Sequence, residues 1–327
     1  MKNKTALAVL CVALGNIIWG VSYPLITYGS TMVSDTYIML GHRFTISAFV
    51  MLIMMIFGKN KLSFKGKHPL PLILLMALQT TYYLFEAYGI LYTNSTISGL
   101  VLAVVPVVTI GTGALFLKEY PTRRQALFCI LPVVGVILIS ATGKELEVKN
   151  LYLGGLFLLL TLLTSAFYKT VNRKASEEFS SFERTFMMLS GSAVVFTVIG
   201  LKLSNWSVAA YVAPLGNIKY LAVVFALGLL CSITANLLVN YAMNHMSVFK
   251  AASFGALSTL CSALLGVFVM GDKINASIII GGALILIGVR QVTKPPKESK
   301  EAEVKEKKEN GDNITEGIDG EEKVPTE

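Results

Sequence analysis

The sequence predicts an all-α polytopic membrane protein of ten transmembrane helices, arranged as two inverted five-helix repeats. Three observations carry that prediction. Hydrophobic residues make up 54% of the 327 positions and charged residues 15%, with a mean hydropathy of +0.64, which is too apolar for one soluble domain. The apolar residues come in runs rather than in alternation, and each run approaches the roughly 17 to 25 residues that a helix needs to cross a bilayer. The pattern of runs also repeats itself along the chain.

Taken in order, the runs extend from Ala6 to Tyr28, Thr36 to Phe57, Leu70 to Leu91, Ile97 to Leu117 and Arg124 to Ala141. They continue from Leu151 to Val171, Phe182 to Leu201, Tyr220 to Tyr241, Val248 to Met270 and Asn275 to Arg290. The first follows Lys2 and Lys4 as a signal peptide would. It is long, has no clear small-residue cleavage site and leads straight into another span, so it is expected to stay in the mature protein. It offers Asn16, Trp19 and Tyr23, and the second offers His42 and Arg43.

The third run holds the most informative stretch, from Gln79 to Asn94. Gln79, Tyr82, Tyr83, Glu86 and Thr93 share one face at helical periodicity, a polar and aromatic stripe inside an apolar segment. A carboxylate at the centre of a bilayer costs at least about 2.5 to 3.5 kcal/mol, so Glu86 calls for a partner or a cavity. In the fourth run Pro106 removes a backbone hydrogen bond to the carbonyl of Leu102, and Pro24 and Pro132 do the same in the first and fifth. The sixth offers Thr164, Ser165 and Tyr168. The eighth carries Ser232, Asn236 and Asn240, and the ninth Ser258, Ser262 and Gly266, both at i, i+4, i+8. Interhelical hydrogen bonding and substrate contact account for the asparagines equally well.

From Lys294 to Glu327 Lys and Glu dominate, so this stretch reads as a disordered charged tail. The expected division is therefore a first repeat over 1–141, a second over 151–292 and a tail over 293–327. Basic residues fall fifteen on one side of the predicted topology, Lys169 and Arg184 among them, and five on the other, which places both termini in the cytoplasm. The net charge of +8 is thus a topology signal and not a nucleic-acid footprint. Cys11, Cys129, Cys231 and Cys261 sit in apolar runs without paired spacing, so neither a disulfide framework nor a metal site is expected. Zinc-protease, nucleophile-elbow and phosphate-loop motifs are absent, no cofactor is implied, and the charged ring or filter of a channel is missing.

A shift of 153 residues superposes Leu74 on Leu227, Thr81 on Thr234, Leu84 on Leu237, Ala103 on Ala256, Gly113 on Gly266 and Gly135-Val136 on Gly288-Val289 without a gap. A shift of 145 brings Asn16, Trp19, Gly20 and Tyr23 onto Thr161, Thr164, Ser165 and Tyr168. Five helices per half means that the halves enter the membrane in opposite directions, the plan of alternating-access carriers.

Trp19-Gly20 with Tyr23, Arg43-Phe44, Gly89-Ile90-Leu91-Tyr92-Thr93, Pro106, Leu117-Lys118-Glu119 and Gly135-Val136 occur in an order that resembles the drug/metabolite transporter superfamily, in particular its EamA-type ten-helix transporters. The likeness covers about residues 5 to 292. Lys118 stands where that family usually has glycine, and Glu86 where an aromatic or amide residue is commoner. The resemblance implies a basket of helices one to four and six to nine around a central cavity, helices five and ten as outer supports, and export as the direction.

The expected function is a cell-membrane secondary transporter of small polar or cationic metabolites, with proton coupling as one reading. The alternative is a carrier of amino acids or other neutral metabolites without proton coupling; an intramembrane enzyme or a channel ranks lower. The expected substrate contacts are Trp19, Tyr23, Tyr82, Tyr83, Glu86, Tyr168, Asn236 and Asn240, with aromatic faces suited to a cation. Glu86 lies about 8 Å from the outer end of its helix, and His42 and Arg43 about 11 Å from theirs. Three readings of Glu86 follow: a structural ion pair with Arg43, neutralisation of a cationic substrate, or exchange of a proton. His42 is read either as a coupling residue or as a packing histidine. The expected partners are a small-molecule substrate, protons under the coupled reading, and the lipid bilayer, and the chain is read as a monomer or homodimer.

Overall fold

The computed structural model describes residues 2–58, 61–93, 95–140, 149–270 and 276–294. Asp272, Asn94 and the charged tail beyond Lys294 lie outside them. The chain divides into two units, Met1–Val292 and Thr293–Glu327, and the first contains the fold.

Among the described residues ten helices are long and apolar enough to cross a membrane, and no strand occurs. In chain order the spans are Lys4–Ser30, Thr36–Phe57, Leu70–Tyr92, Ile97–Leu117, Arg123–Ser140, Leu151–Ala175, Ser181–Leu203, Ile218–Met243, Val248–Phe268 and Ala276–Thr293, numbered 1 to 10 below. Their starts are set by local chemistry. Asp35 caps span 2 by accepting from the Tyr37 N–H at 2.8 Å, Asn150 caps span 6, and Thr122 with Gln125 and Ser180 with Glu183 form capping boxes on spans 5 and 7. Outward-facing Phe49, Phe116, Val194 and Phe268 remain exposed, as a bundle whose solvent is lipid allows.

The two halves interdigitate. Span 3 lies along span 6, span 2 along span 7, and span 1 against spans 8 and 9. Spans 1 and 9 come close at Gly20, where an added Cβ would stand 2.7 Å from the carbonyl oxygen of Ser258.

Four spans are not continuous α-helices. Pro132 cannot bond to the Phe128 carbonyl, and span 5 breaks at Cys129 between Arg123–Phe128 and Ile130–Ser140. In span 4 the helix Ser95–Leu102 ends in a turn at Ala103 and Val104 before Val105–Thr112 resumes with Pro106 in its first turn. A π-helical turn, Gly113–Leu117, then ends the span at Lys118, whose φ of 55° and ψ of 29° are left-handed. Glycine, which the resemblance leads one to expect there, adopts that conformation without a Cβ clash. Span 9 breaks at Phe254 and Gly255 between Val248–Ser253 and Ala256–Met270, although it has no proline. Span 8 is π-helical over Leu227–Thr234, where the Thr234 hydroxyl reaches the Leu229 carbonyl at 2.9 Å. Such wide turns redirect carbonyls and commonly mark functional positions.

At the face carrying the loops after spans 2, 4, 6 and 8, polar contacts tie the halves together. Glu119 accepts from Arg173 Nε at 2.9 Å with one carboxylate oxygen, and with the other from the Val248 N–H at 2.7 Å, capping span 9. Glu183 binds Lys67 Nζ at 3.1 Å and the Ser63 N–H at 3.0 Å.

Candidate functional site

Spans 1, 2, 3, 4, 6, 8 and 9 enclose a cavity of about 190 Å³, smaller than the roughly 300 to 1,000 Å³ of pockets for drug-sized ligands. Span 3 supplies Gln79, Tyr82, Tyr83 and Glu86, the i, i+3, i+4, i+7 positions of one helix face. Span 1 supplies Asn16, Trp19, Ser22 and Tyr23, span 6 supplies Ser165, Tyr168 and Lys169, span 2 supplies Arg43, and span 8 supplies Asn236. Val136 of span 5 also lines it, so span 5 is not purely an outer support. Span 7 supplies no lining residue, although the resemblance placed it in the basket.

The broken spans meet at the cavity. Gly99, Leu102, Ala103, Val105 and Pro106 of span 4 line it, and adding 153 to each number gives Ala252, Gly255, Ala256, Ser258 and Thr259 of span 9, which line it too. The shift that aligns the two halves in sequence thus also aligns their contributions to one wall. Interrupted helices at corresponding positions of two repeats are the usual setting of a transporter's binding site. The charges do not follow the duplication. The counterpart of Glu86 is Val239 under the shift of 153, and that of Lys169 is Pro24 under the shift of 145.

Glu86 accepts a hydrogen bond from the Tyr82 hydroxyl at 2.9 Å. It makes no ion pair within 4.0 Å among the described residues, which departs from the structural pairing with Arg43 that helix depth suggested. Arg43 is held elsewhere: its Nε donates to Ser232 Oγ at 2.7 Å, and its guanidinium lies 5.3 Å from the ring centre of Phe44 and 6.0 Å from that of Tyr83. The π-helical turn of span 8 puts Ser232 in reach, and similarly presents the Cys231 carbonyl to Trp19 Nε1 at 2.9 Å. Trp19 therefore meets the cavity with its ring, its N–H being engaged. Asn236 donates back to the Ser232 carbonyl at 2.7 Å through Nδ2.

Two expected site residues stand apart from the cavity. Asn240 is fully buried, accepts from Asn172 Nδ2 at 2.7 Å and donates to Thr185 Oγ1 at 2.7 Å. It belongs to a network around Arg184, which donates to the Asn240 carbonyl at 2.7 Å and to the side-chain oxygens of Asn172 and Asn244. Arg184 was counted with the juxtamembrane charges; it is a fully buried clasp between spans 6, 7 and 8. His42 is also buried. Its Nε2 faces the Tyr211 carbonyl at 3.0 Å and is the donor there; in the neutral imidazole Nδ1 then accepts from the Tyr220 hydroxyl at 2.9 Å.

Lys169 is a second residue that sequence reading misplaced. Ending span 6 at Val171 put Lys169 at the membrane surface, whereas the helix continues to Ala175 and carries Lys169 about six residues, or roughly 9 Å, inside it. It lines the cavity, with Nζ 3.4 Å from Ser165 Oγ and 5.7 Å from the ring centre of Tyr168. The signal available in sequence was the i, i+3, i+4 set Ser165, Tyr168, Lys169, which places the lysine on the same face as Tyr168.

A bundle of ten membrane-spanning helices around a small, charged, aromatic cavity at two interrupted helices defines a membrane transporter. The EamA-like transporter family model matches residues 6–141 and again 152–293, and the chain belongs to that family. The uncharacterized transporter YcxC of Bacillus subtilis is 29% identical over 293 residues, covering 88% of this chain and 93% of its own. An uncharacterized transporter of Archaeoglobus fulgidus is 21% identical over 288 residues, covering 87% and 98% respectively. A crystal structure at 17% sequence identity matches the fold with a TM-score of 0.71 over 88% of this chain and 96% of that one.

Proposed function

We propose that this protein is a secondary transporter of the cytoplasmic membrane, with both termini in the cytoplasm. It exports small polar metabolites that carry a positive group, by alternating access around the cavity between spans 1 to 4, 6, 8 and 9. The observation that carries the proposal is Glu86: a carboxylate about six residues, roughly 9 Å, inside its helix, lining the cavity and bonded to a neutral hydroxyl rather than to a cation. A carboxylate so placed is available to neutralise an incoming cation. Trp19, Tyr23, Tyr82, Tyr83 and Tyr168 supply ring faces around it.

A second reading, proton exchange at Glu86, draws on the same hydrogen bond. With the Tyr82 hydroxyl as its partner, Glu86 can take up and release a proton without breaking an ion pair.

The test is flux in proteoliposomes with a pH dye inside, comparing wild type with Glu86→Gln against pools of organic amines, amino acids and neutral metabolites. Saturable uptake of one pool that is lost in a folded Glu86→Gln variant supports substrate neutralisation, and accompanying proton movement supports the exchange reading. Normal uptake by Glu86→Gln removes Glu86 from the mechanism.

A further inference from the structure

We propose that the connection between spans 7 and 8 is a membrane anchor, with Trp206, Val208, Val212 and Ile218 seated at the boundary between lipid headgroups and acyl chains. None of these residues lines the cavity, so the anchor is independent of what the cavity carries.

From Leu203 to Ile218 no side chain is charged, and Lys202 and Lys219 bracket the stretch. Its apolar side chains are not tucked into the bundle: Trp206 is 65% exposed, Val208 64% and Ile218 74%. Apolar groups exposed together along one short stretch mark a surface that meets something other than water. Their neighbours say what that is. Val198 and Leu203 of span 7 and Phe225 of span 8 are exposed as well, so the connection continues the lipid-facing surface of both spans. Its chemistry suits the edge of a bilayer. A tryptophan ring is amphipathic, and the exposed lysines on either side carry an ammonium on an aliphatic stem that reaches phosphate.

The backbone presents these side chains outward. Asn205 and Trp206 hold left-handed conformations, with φ of 53° and 59°, and the Trp206 N–H closes span 7 by donating to the Leu201 carbonyl at 2.7 Å. A left-handed φ is unusual for a bulky residue, and the indole it carries here is left exposed. Ser207 then begins the helix Val208–Val212 by accepting from the Ala210 N–H at 3.2 Å. In that helix Tyr211 alone is buried. A Cβ on Gly41 would stand 2.5 Å from the Tyr211 hydroxyl oxygen, and one on Gly200 2.5 Å from its ring, so the ring fills a slot between spans 2 and 7. The Tyr211 carbonyl accepts from His42 Nε2 at 3.0 Å. One residue thus keys the helix to spans 2 and 7 while the others face lipid, and the anchor fixes the ends of both spans against the bilayer surface.

The chain has two tryptophans, Trp19 and Trp206, so the fluorescence of full-length Trp19→Phe reports Trp206 alone. The protein is placed in liposomes of phosphatidylethanolamine and phosphatidylglycerol. Quenching is measured with lipids spin-labelled near the headgroup, with lipids labelled near the terminal methyl, and with aqueous iodide. An interfacial side chain lies roughly 5 to 10 Å deep, so the shallow label should quench at least about twofold more than the deep one, and iodide about tenfold less than it quenches free tryptophan. Strong iodide quenching without an effect of either lipid makes the segment an aqueous loop and overturns the proposal. Stronger quenching by the deep label overturns it too. So does protection from all three quenchers, in which case disulfide crosslinking of Val208→Cys between copies would give the surface to a second copy of the chain. If Trp19→Phe fails to fold, subtracting the signal of Trp206→Phe from that of wild type isolates the same quenching.

Discussion

The Tyr82 hydroxyl donates to Glu86 Oε1 at 2.9 Å from one turn earlier on the same helix, so the carboxylate that faces the cavity is oriented by its own span. A hydrogen bond to a charged group contributes about 1.5 to 3 kcal/mol. Tyr82→Phe keeps the ring and removes that bond. Apparent substrate affinity in tracer counterflow should fall about tenfold while the protein remains folded. An unchanged affinity would show that another group orients Glu86.

Glu119 joins three spans, because its carboxylate meets Arg173 of span 6 and the Val248 N–H that begins span 9 while it closes span 4. Its side chain is 17% exposed and that of Arg173 24%, enough shielding for the pair to contribute. Glu119→Gln should destabilise the conformation seen here by about 1 to 3 kcal/mol. Crosslinking between cysteines placed across this face, or protease access to the loop after span 4, should report more opening. Unaltered access would mean that the contact is incidental to closure.

Spans 5 and 10 cross at a pair of glycines. A Cβ on Gly281 would stand 2.6 Å from the Gly135 carbonyl oxygen, and one on Gly135 would stand 2.5 Å from that of Gly281. Backbone on both sides cannot yield as a flexible side chain can. Gly281→Ala should lower stability by about 1 to 3 kcal/mol in thermal unfolding in detergent. Gly155→Ala, where a Cβ meets nothing within 4 Å, is the control and should be neutral or mildly stabilising.

Lys118 holds a left-handed conformation with an exposed side chain. An L-residue there carries about 1 to 2 kcal/mol of strain. Lys118→Gly should therefore raise the unfolding temperature, with a gain of about 1 kcal/mol after the added chain entropy of glycine. A lower unfolding temperature would reveal a contact made by the lysine that outweighs the strain.

The span count and the family were legible in the sequence, and seven of the eight expected substrate contacts line the cavity. Gln79, Tyr82, Tyr83 and Glu86 announced one face because helical periodicity is a local property, and a charge in an apolar run is conspicuous without any partner. Pro106 marked the break in span 4. The break in span 9, at Phe254 and Gly255, carried no such mark, since a helix can also break without proline.

By itself, then, the sequence determined the apolar runs, their duplication and the carboxylate stripe, which depend on hydrophobic length and on spacing within one helix. The tertiary structure decided which charges meet. It carried span 6 on to Ala175 and so drew Lys169 into the cavity; it engaged Arg43 with Ser232, and enclosed Asn240 in the Arg184 network. Those outcomes depend on partners far away in the chain, and the cost of an unpartnered polar group in lipid makes packing between helices, not the span that carries a residue, the arbiter of where its side chain ends.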